Sequence, residues 1–191
     1  MKSIFQLFLP CGLFFQSQVV FPQQKGPDVT KWVNPFIGTA PLTDPALIGY
    51  TPPADWRIWA GLTFPGSALP NAMVQLSPIT KWGSGAGYEY EDSEILGFAH
   101  TNKGHWNLCN LPVLPISAEA VYPFKGSFSH GKENASPGYY QVYLDNYAVN
   151  VRLTSTLRTG IHEYQFDDPK GRRILFGLGK ANNGVSDWMI D

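Results

Sequence analysis

Alternating apolar and polar residues in the second half of the chain predict β-strands. In segment 149–157 apolar residues and Ser155 alternate with polar residues, as in a strand with one buried and one solvated face. Segment 138–145 alternates in the same way, and Asn146-Tyr147 supplies the turn between the two. Segments 161–166 and 173–178 are predicted as two further strands of the same series.

The segments before residue 120 add shorter predicted strands. Residues 72–76 are apolar, and 94–101 follows a two-residue turn, as in a hairpin. Tyrosines and glutamates alternate over 88–92, which predicts a strand with the glutamates on its solvated face. Segment 110–119 contains Pro112 and Pro115, so we expect an edge strand or irregular chain there. Because no segment has a sustained helical period, the predicted fold is an all-β antiparallel β-sandwich.

The two ends of the globular region differ from its centre. Residues 25–72 are rich in proline and glycine but carry several aromatic residues, which predicts long ordered loops. The last residues, 182–191, look like the start of another strand. We therefore expect the domain to continue beyond Asp191 and the sandwich to be incomplete at its C-terminus.

The first 24 residues are predicted to be a signal peptide, which leaves a single domain over 25–191. Lys2 precedes an apolar run over 4–15 that is too short to span a bilayer and predicts no transmembrane segment. This leader implies a secreted or periplasmic protein. Lipid anchoring at Cys11 is an alternative, which Pro10 disfavours. Cys109 would then be the remaining cysteine, without a disulfide partner, and is expected to be a small buried residue.

Composition removes nucleic acid from the candidate partners. Lysine and arginine number 14 against 15 aspartate and glutamate, a net charge of −1, so the sequence shows no basic excess for phosphate contacts. Aromatic residues reach 14% and charged residues 15%, with 19 glycines and 16 prolines. This composition is typical of a β-rich globular protein with ordered loops.

The segment 97–107 holds the candidate binding residues, which are His100, Asn102, His105 and Trp106. Their imidazoles and amide can exchange hydrogen bonds with hydroxyl groups, and the indole offers a flat face to a sugar ring. Polar groups of this kind cost free energy in a packed core unless each finds a partner. The alternative is a tryptophan packed under the loop with its N–H bonded locally.

Other chemistries find less support in the sequence. The acidic residues over 89–94 resemble a solvated strand face more than the paired carboxylates of a glycosidase. His100, His105 and Cys109 are residue types that bind zinc, but no Cys-x-x-Cys pair accompanies them. The glycine-rich segment 83–87 precedes a strand, not a helix, so phosphate binding is not expected. We predict no catalytic residue and no metal ligand in this chain.

Five sequence blocks stand in order along the chain: Val-Asn-Pro-Phe-Ile-Gly-Thr at 33–39, Thr-Phe-Pro-Gly at 63–66, Met-Val-Gln-Leu-Ser-Pro at 73–78, Gly-Tyr-Glu-Tyr at 87–90 and Ile-Leu-Gly-Phe-Ala-His-Thr at 95–101. In this order they resemble glycoside hydrolase family 92, the calcium-dependent exo-acting α-mannosidases. The chain departs from the family pattern by a proline- and tryptophan-bearing insertion at 40–62 and by Ile79 after the Ser-Pro pair.

The resemblance implies the family's N-terminal domain, a galactose-mutarotase-like supersandwich. The general acid, the general base and the calcium ligands of such enzymes lie on a larger helical domain, which this chain would lack. Hydrolysis in the family inverts configuration through a metal-assisted attack of water. By resemblance, Trp106 and its neighbours belong to the leaving-group subsite, with 36–39 near its rim. The implied partners are α-mannoside glycans and the missing catalytic domain.

Three functional hypotheses follow. The chain is the N-terminal domain of an α-mannosidase and is inactive alone, or it is a stand-alone carbohydrate-binding module, or it is a structural domain without a ligand. Saturable binding of mannose or α-mannobiose separates the second hypothesis from the third.

Overall fold

The computed structural model describes residues 27–53, 58–59, 61–103 and 106–189. The side chains of Trp59, Asn102 and Lys103 lie outside this description. The predicted signal peptide at 1–24 and Cys11 also lie outside the described residues, so these predictions stay predictions. In the described part of the chain, no helix has the length and apolar character needed to cross a membrane.

Short strands dominate the described residues. The strands are β1 (Pro41–Leu42), β2 (Ile58–Trp59), β3 (Ser67–Ala68), β4 (Gln75–Ile79), β5 (Glu94–Ile95), β6 (Gly97–Ala99), β7 (Asn102–Lys103), β8 (Trp106–Asn107), β9 (Val113–Ile116), β10 (Gly126–Ser127), β11 (Glu133–Ser136), β12 (Tyr139–Leu144), β13 (Val149–Ser155), β14 (Gly160–Phe166) and β15 (Arg173–Phe176). One α-helix, α1 (Pro45–Ile48), and 3₁₀ helices at Thr30–Trp32, His130–Lys132 and Asp145–Tyr147 accompany them. Helix α1 has four residues, too few to show a helical period in the sequence.

The first large sheet is the continuous antiparallel meander β11-β12-β13-β14. Its register places Val142 opposite Val151 and Val151 opposite Tyr164. Side chains at alternate positions of β12 and β13 are fully buried, as the period-two pattern predicts. The predicted strands 138–145, 149–157 and 161–166 are therefore confirmed, and the turn at 146–147 lies within the 3₁₀ helix Asp145–Tyr147.

The second large sheet has the order β15-β9-β6-β4-β3. Leu76, Phe98 and Leu114 from its inner face join the buried residues of β12 and β13 in one hydrophobic core. The Phe98 and Tyr140 ring centroids, one from each sheet, are 6.5 Å apart. Two antiparallel sheets that bury their facing side chains form a β-sandwich, so the predicted fold class is confirmed. Residues on the outer face of the second sheet form a smaller cluster of Ile79, Ala99 and Cys109.

The prediction of a strand over 88–92 was wrong. These residues form turns between β4 and β5, and Gly87 has a φ of +81°, which breaks extended geometry. Glu89 is buried, not solvated, and its backbone N–H donates to the Thr80 hydroxyl at 2.8 Å.

Strand β9 lies between β15 and β6, although its prolines predicted an edge strand or irregular chain. It pairs with β6 only at Val113, opposite Phe98. Pro115 has no partner residue in β6, so its missing N–H costs no hydrogen bond between β9 and β6. The described C-terminal residues 177–189 contain no helix or strand, so the strand expected there is absent from them.

Candidate functional site

The candidate binding residues lie on the chain that leaves β6 and returns to β9. Strands β7 and β8 form a small hairpin in which Asn102 faces Asn107 and Lys103 faces Trp106. The Leu108 N–H donates to the Thr101 carbonyl at 3.1 Å and closes the base of the hairpin. We call residues 100–109 the hairpin segment. The Asn102 side chain and His105 lie outside the described residues, so their predicted roles stay predictions.

Trp106 lies half-buried beside the glycine-rich loop 83–87. A methyl group built at Gly85 would come within 3.6 Å of the Trp106 ring and 2.7 Å of a Leu62 methyl. The Leu62 methyl is what excludes a side chain at 85, since 3.6 Å from the indole is ordinary van der Waals contact. Trp106 packs on the loop and is partly exposed, and its role in sugar binding stays a prediction.

Asn107 holds the hairpin segment on the outer face of the second sheet. Its fully buried amide donates to the Ser77 hydroxyl at 2.9 Å and to the Ala86 carbonyl at 3.2 Å, and accepts from the Cys109 N–H at 2.8 Å. A side chain at Gly87 would come within 2.5 Å of the Asn107 amide nitrogen. The glycine-rich segment thus makes room for Asn107, and this amide is used within the fold.

His100 packs against a histidine that lies far from it in the sequence. The ring centroids of His100 and His162 are 4.9 Å apart, and the His162 Nδ1 is 2.8 Å from the Tyr164 hydroxyl. Burial lowers the pKa of His100, against a hydrogen bond to the Leu111 backbone that raises it. Burial, followed by the charge of His100, lowers the pKa of His162 to about 4. Both rings are therefore neutral at pH 7, and each has one N–H donor and one acceptor nitrogen.

His100 and Trp106 pack on different parts of the fold. His100 lies against β14, whereas Trp106 lies against the 83–87 loop. The sequence did not indicate this separation, because the residue against which His100 packs, His162, lies far away in the chain. His130 is hydrogen-bonded to Glu133 and to the Tyr90 carbonyl.

Segment 36–39, expected near the rim of the site, forms a turn that places successive side chains in different environments. The Phe36 ring packs at 5.9 Å from the Tyr90 ring centroid. Ile37 is exposed, and the Thr39 hydroxyl donates to the Phe36 carbonyl at 2.8 Å. Ile37 is therefore the side chain of this turn that a ligand or a neighbouring domain could contact.

Cys109 has the properties of a buried hydrophobic residue. Its side chain is fully buried, and burial raises the pKa of the thiol to about 12. A thiolate, the form that binds zinc, is therefore disfavoured at neutral pH. Among the residues that the structure describes, no group of three histidine, cysteine, aspartate or glutamate residues could hold a metal ion.

Glu133 is a buried carboxylate that sequence analysis missed. Its side chain is 1% exposed and accepts hydrogen bonds from the Tyr140 hydroxyl at 2.7 Å and the Tyr88 hydroxyl at 3.1 Å. The His130 Nδ1 lies 2.7 Å from the same carboxylate. Burial, reinforced by the Glu133 charge, raises the pKa of Tyr88 and Tyr140. These contacts join β11 to the 87–92 turns, so Glu133 serves the fold.

The family model that describes the glycosyl hydrolase family 92 N-terminal domain matches residues 32–190. The chain belongs to glycoside hydrolase family 92. Its all-β sandwich corresponds to the N-terminal domain of that family. No curated protein is significantly similar to the chain in sequence.

Solved family 92 structures share the fold. The α-mannosidase BT3965 from Bacteroides thetaiotaomicron superimposes with a TM-score of 0.65 at 26% identity, covering 80% of this chain and 20% of that enzyme. The inverting mannosidase BT2199 from Bacteroides thetaiotaomicron VPI-5482 gives a TM-score of 0.60 at 26% identity, covering 76% of this chain and 19% of that one. The family 92 hydrolase ccman5 gives 0.62 at 25% identity, with 80% and 21% covered. The chain thus spans about a fifth of the length of these solved relatives.

Proposed function

We propose that this chain supplies part of the sugar-binding wall of an exo-acting, inverting α-mannosidase and is inactive alone. The observation that carries the proposal is the half-buried Trp106 ring, held against Gly85 in a family 92 N-terminal domain. An indole fixed by packing offers its accessible surface to a sugar ring without a further loss of side-chain entropy on binding.

The polar groups of the hairpin segment suit a binding role better than a catalytic one. His100, which packs against β14 and not beside Trp106, is neutral and is proposed to exchange hydrogen bonds with sugar hydroxyl groups. Asn102 and His105 are proposed to supply further polar contacts from the same hairpin segment. Inverting hydrolysis needs a carboxylic acid and a carboxylate on opposite sides of the scissile bond, and we assign both to the helical domain of the complete enzyme.

Calcium dependence is likewise proposed for the complete enzyme. The calcium ligands are assigned to the helical domain, and this assignment is supported by the described residues, in which no group of three histidine, cysteine, aspartate or glutamate residues could hold a metal ion. The signal peptide predicted at 1–24 supports a secreted or periplasmic location, in which the enzyme would meet extracellular α-mannosides.

Two measurements test the binding wall and the missing chemistry. The 191-residue chain should release no detectable mannose from α-mannosides, and mannose release by the purified chain would contradict the proposal. In calorimetric titrations with α-mannobiose, Trp106→Ala should weaken any binding of the parent chain, whereas the exposed Trp188→Ala should not. Equal binding by the parent and Trp106→Ala would remove Trp106 from the wall.

A stand-alone carbohydrate-binding module is the second candidate function. The accessible part of the Trp106 ring favours it, because such modules bind sugars on exposed aromatic faces. Saturable binding of mannose or α-mannobiose by the isolated chain would support this function. Binding only after addition of the helical domain would support the split site.

A further inference from the structure

A cavity of about 570 Å³ opens at the end of the second sheet where β4 ends and β6 begins. Its walls come from residues after β4, from the start of β9 and from segment 122–125. His100 follows the opposite end of β6, and none of the described residues that line the cavity belongs to the hairpin segment. The cavity therefore uses no side chain of the hairpin segment, although Trp82 in its wall packs on Cys109 of that segment, and its volume lies in the range of small-ligand sites.

Aromatic side chains give the cavity an apolar surface. Trp82 packs on the Ile79 and Cys109 cluster, so its ring is held in place. Tyr122 stands at the mouth with 82% of its surface exposed, and its ring meets Phe124 edge-on at 6.0 Å. An exposed ring supported by a second aromatic residue is well suited to stack on the C–H face of a sugar.

The charged residues at the cavity are mostly cationic. Three lysines and one glutamate line it: Lys81, Lys125, Lys180 and Glu94. Glu94 is already paired, because Lys125 Nζ lies 2.9 Å from its carboxylate. Lys180 Nζ lies 5.0 Å from the Trp82 ring centroid, and the described residues give neither Lys81 nor Lys180 a carboxylate within ion-pair distance. Two ammonium groups therefore remain available to an anion.

We propose that this cavity binds a sugar that carries an anionic group, phosphate or carboxylate. The anion lies between Lys81 and Lys180, and the sugar ring stacks on Tyr122. The preference for an anion rests on the two available ammonium groups. The preference for a sugar over another anionic molecule rests on the proposed function. Such a site would give a family 92 protein a contact to charged glycans away from the site of hydrolysis.

Calorimetric titration of the 191-residue chain tests the ligand class. The probes are mannose 6-phosphate and glucuronic acid, with mannose as the neutral sugar and inorganic phosphate as the bare anion. We expect at least one anionic sugar to bind about tenfold more tightly than either mannose or phosphate, because charge and ring contacts act together. Added salt should weaken that binding. Tighter binding of one of the two anionic sugars indicates which anion the cavity prefers. The proposal would be overturned if inorganic phosphate bound as tightly as the anionic sugars, or if no saturable binding were observed.

Variants assign the binding to this cavity. Lys180→Gln and Lys81→Gln should each weaken binding of the anionic sugar about fivefold or more. Lys31→Gln is the matched control, because Lys31 also lies over a tryptophan, at 5.1 Å from the Trp32 ring and away from the cavity. An equal loss in Lys31→Gln and Lys180→Gln would overturn the assignment. Tyr122→Ala should weaken binding of the anionic sugar but leave that of phosphate unchanged.

The same titrations separate this proposal from the mannoside wall. Trp106→Ala should leave binding of the anionic sugar unchanged, and Lys180→Gln should leave binding of α-mannobiose unchanged. A chain that binds the anionic sugar but not α-mannobiose would contradict the mannoside wall and support the cavity site. The reverse pattern would contradict the cavity site alone.

Discussion

The Asn107 amide donates a hydrogen bond to the Ser77 hydroxyl at 2.9 Å, with both side chains fully buried. This bond joins the hairpin segment to β4. The same amide also bonds the Ala86 carbonyl and the Cys109 N–H. The position of the neighbouring Trp106 therefore depends on Asn107, whose own side chain is buried within the fold.

Replacing Asn107 with alanine should destabilise the protein by about 2–4 kcal/mol, since several buried polar groups would lose their partner. Urea unfolding followed by circular dichroism measures this change. Asn134→Ala, at an exposed position of β11, is the control and should change the free energy of unfolding by less than about 0.5 kcal/mol. Similar losses of unfolding free energy in the two variants would show that the hydrogen bonds of the buried Asn107 amide do not stabilise the protein.

Two glycines with the same backbone geometry should respond differently to alanine. Gly83 and Gly87 both have a φ of +81°, but a side chain at Gly83 meets nothing within 4 Å, whereas one at Gly87 meets the Asn107 amide. Gly83→Ala should cost about 1 kcal/mol for the left-handed backbone. Gly87→Ala should cost about 1–3 kcal/mol more, because it also displaces Asn107. Equal Tm values for the two variants would contradict this account of the glycine-rich loop.

The His100 and His162 pair should make stability depend on pH. Both pKa values are lowered in the folded protein, that of His162 to about 4, so the unfolded chain binds protons at a higher pH than the folded one. The stabilisation is fully present above about pH 6.5 and is lost as the pH falls towards 4.

Urea unfolding between pH 7 and pH 4 tests this dependence against the variant His162→Gln. The parent should lose about 2–3 kcal/mol more than the variant over this interval, with the other titrating groups common to both. Parallel stability curves for the two proteins would show that His162 titrates equally in the folded and unfolded states.

The buried Glu133 carboxylate should be far more sensitive to amide replacement than an exposed glutamate. In Glu133→Gln one acceptor oxygen becomes a donor nitrogen facing the Tyr88, Tyr140 or His130 donors, which should cost about 2–3 kcal/mol. Glu163→Gln removes an exposed ion pair to Arg152 of 2.7 Å and should cost less than about 1 kcal/mol. Thermal unfolding compares the two, and equal Tm shifts would contradict the fold-stabilising role of Glu133.

Much of the sandwich could be predicted because its strands bury one face each. In β12 and β13 the side chains alternate between core and solvent, and that period of two is written directly in the residues. Where this local rule did not apply, the prediction failed. Tyr88 and Glu89 are both buried outside any strand, where Tyr88 contacts Glu133 and the Glu89 backbone N–H contacts Thr80, and the local pattern does not show these contacts.

The sequence marked a candidate site but did not show which of its side chains are used within the fold and which are accessible. The run of polar and aromatic residues in 97–107 marked the hairpin segment, yet Asn107 and Trp106 look equally suited to sugar binding in the sequence. The structure assigns the Asn107 amide to buried partners and leaves part of the Trp106 ring accessible. That distinction depends on Ser77 and Gly85, which the sequence places far from the hairpin.

Sequence alone thus determined the all-β class, strands β12, β13 and β14 and the family, because periodicity and short motifs are local properties of the chain. Tertiary structure decided which polar groups are used within the fold, as for Glu133 and its Tyr88 partner 45 residues away. It also decided that His100 meets His162 and that lysines from separate segments line one cavity. Burial and hydrogen-bond partners arise only when remote segments pack together, and a local pattern does not encode them.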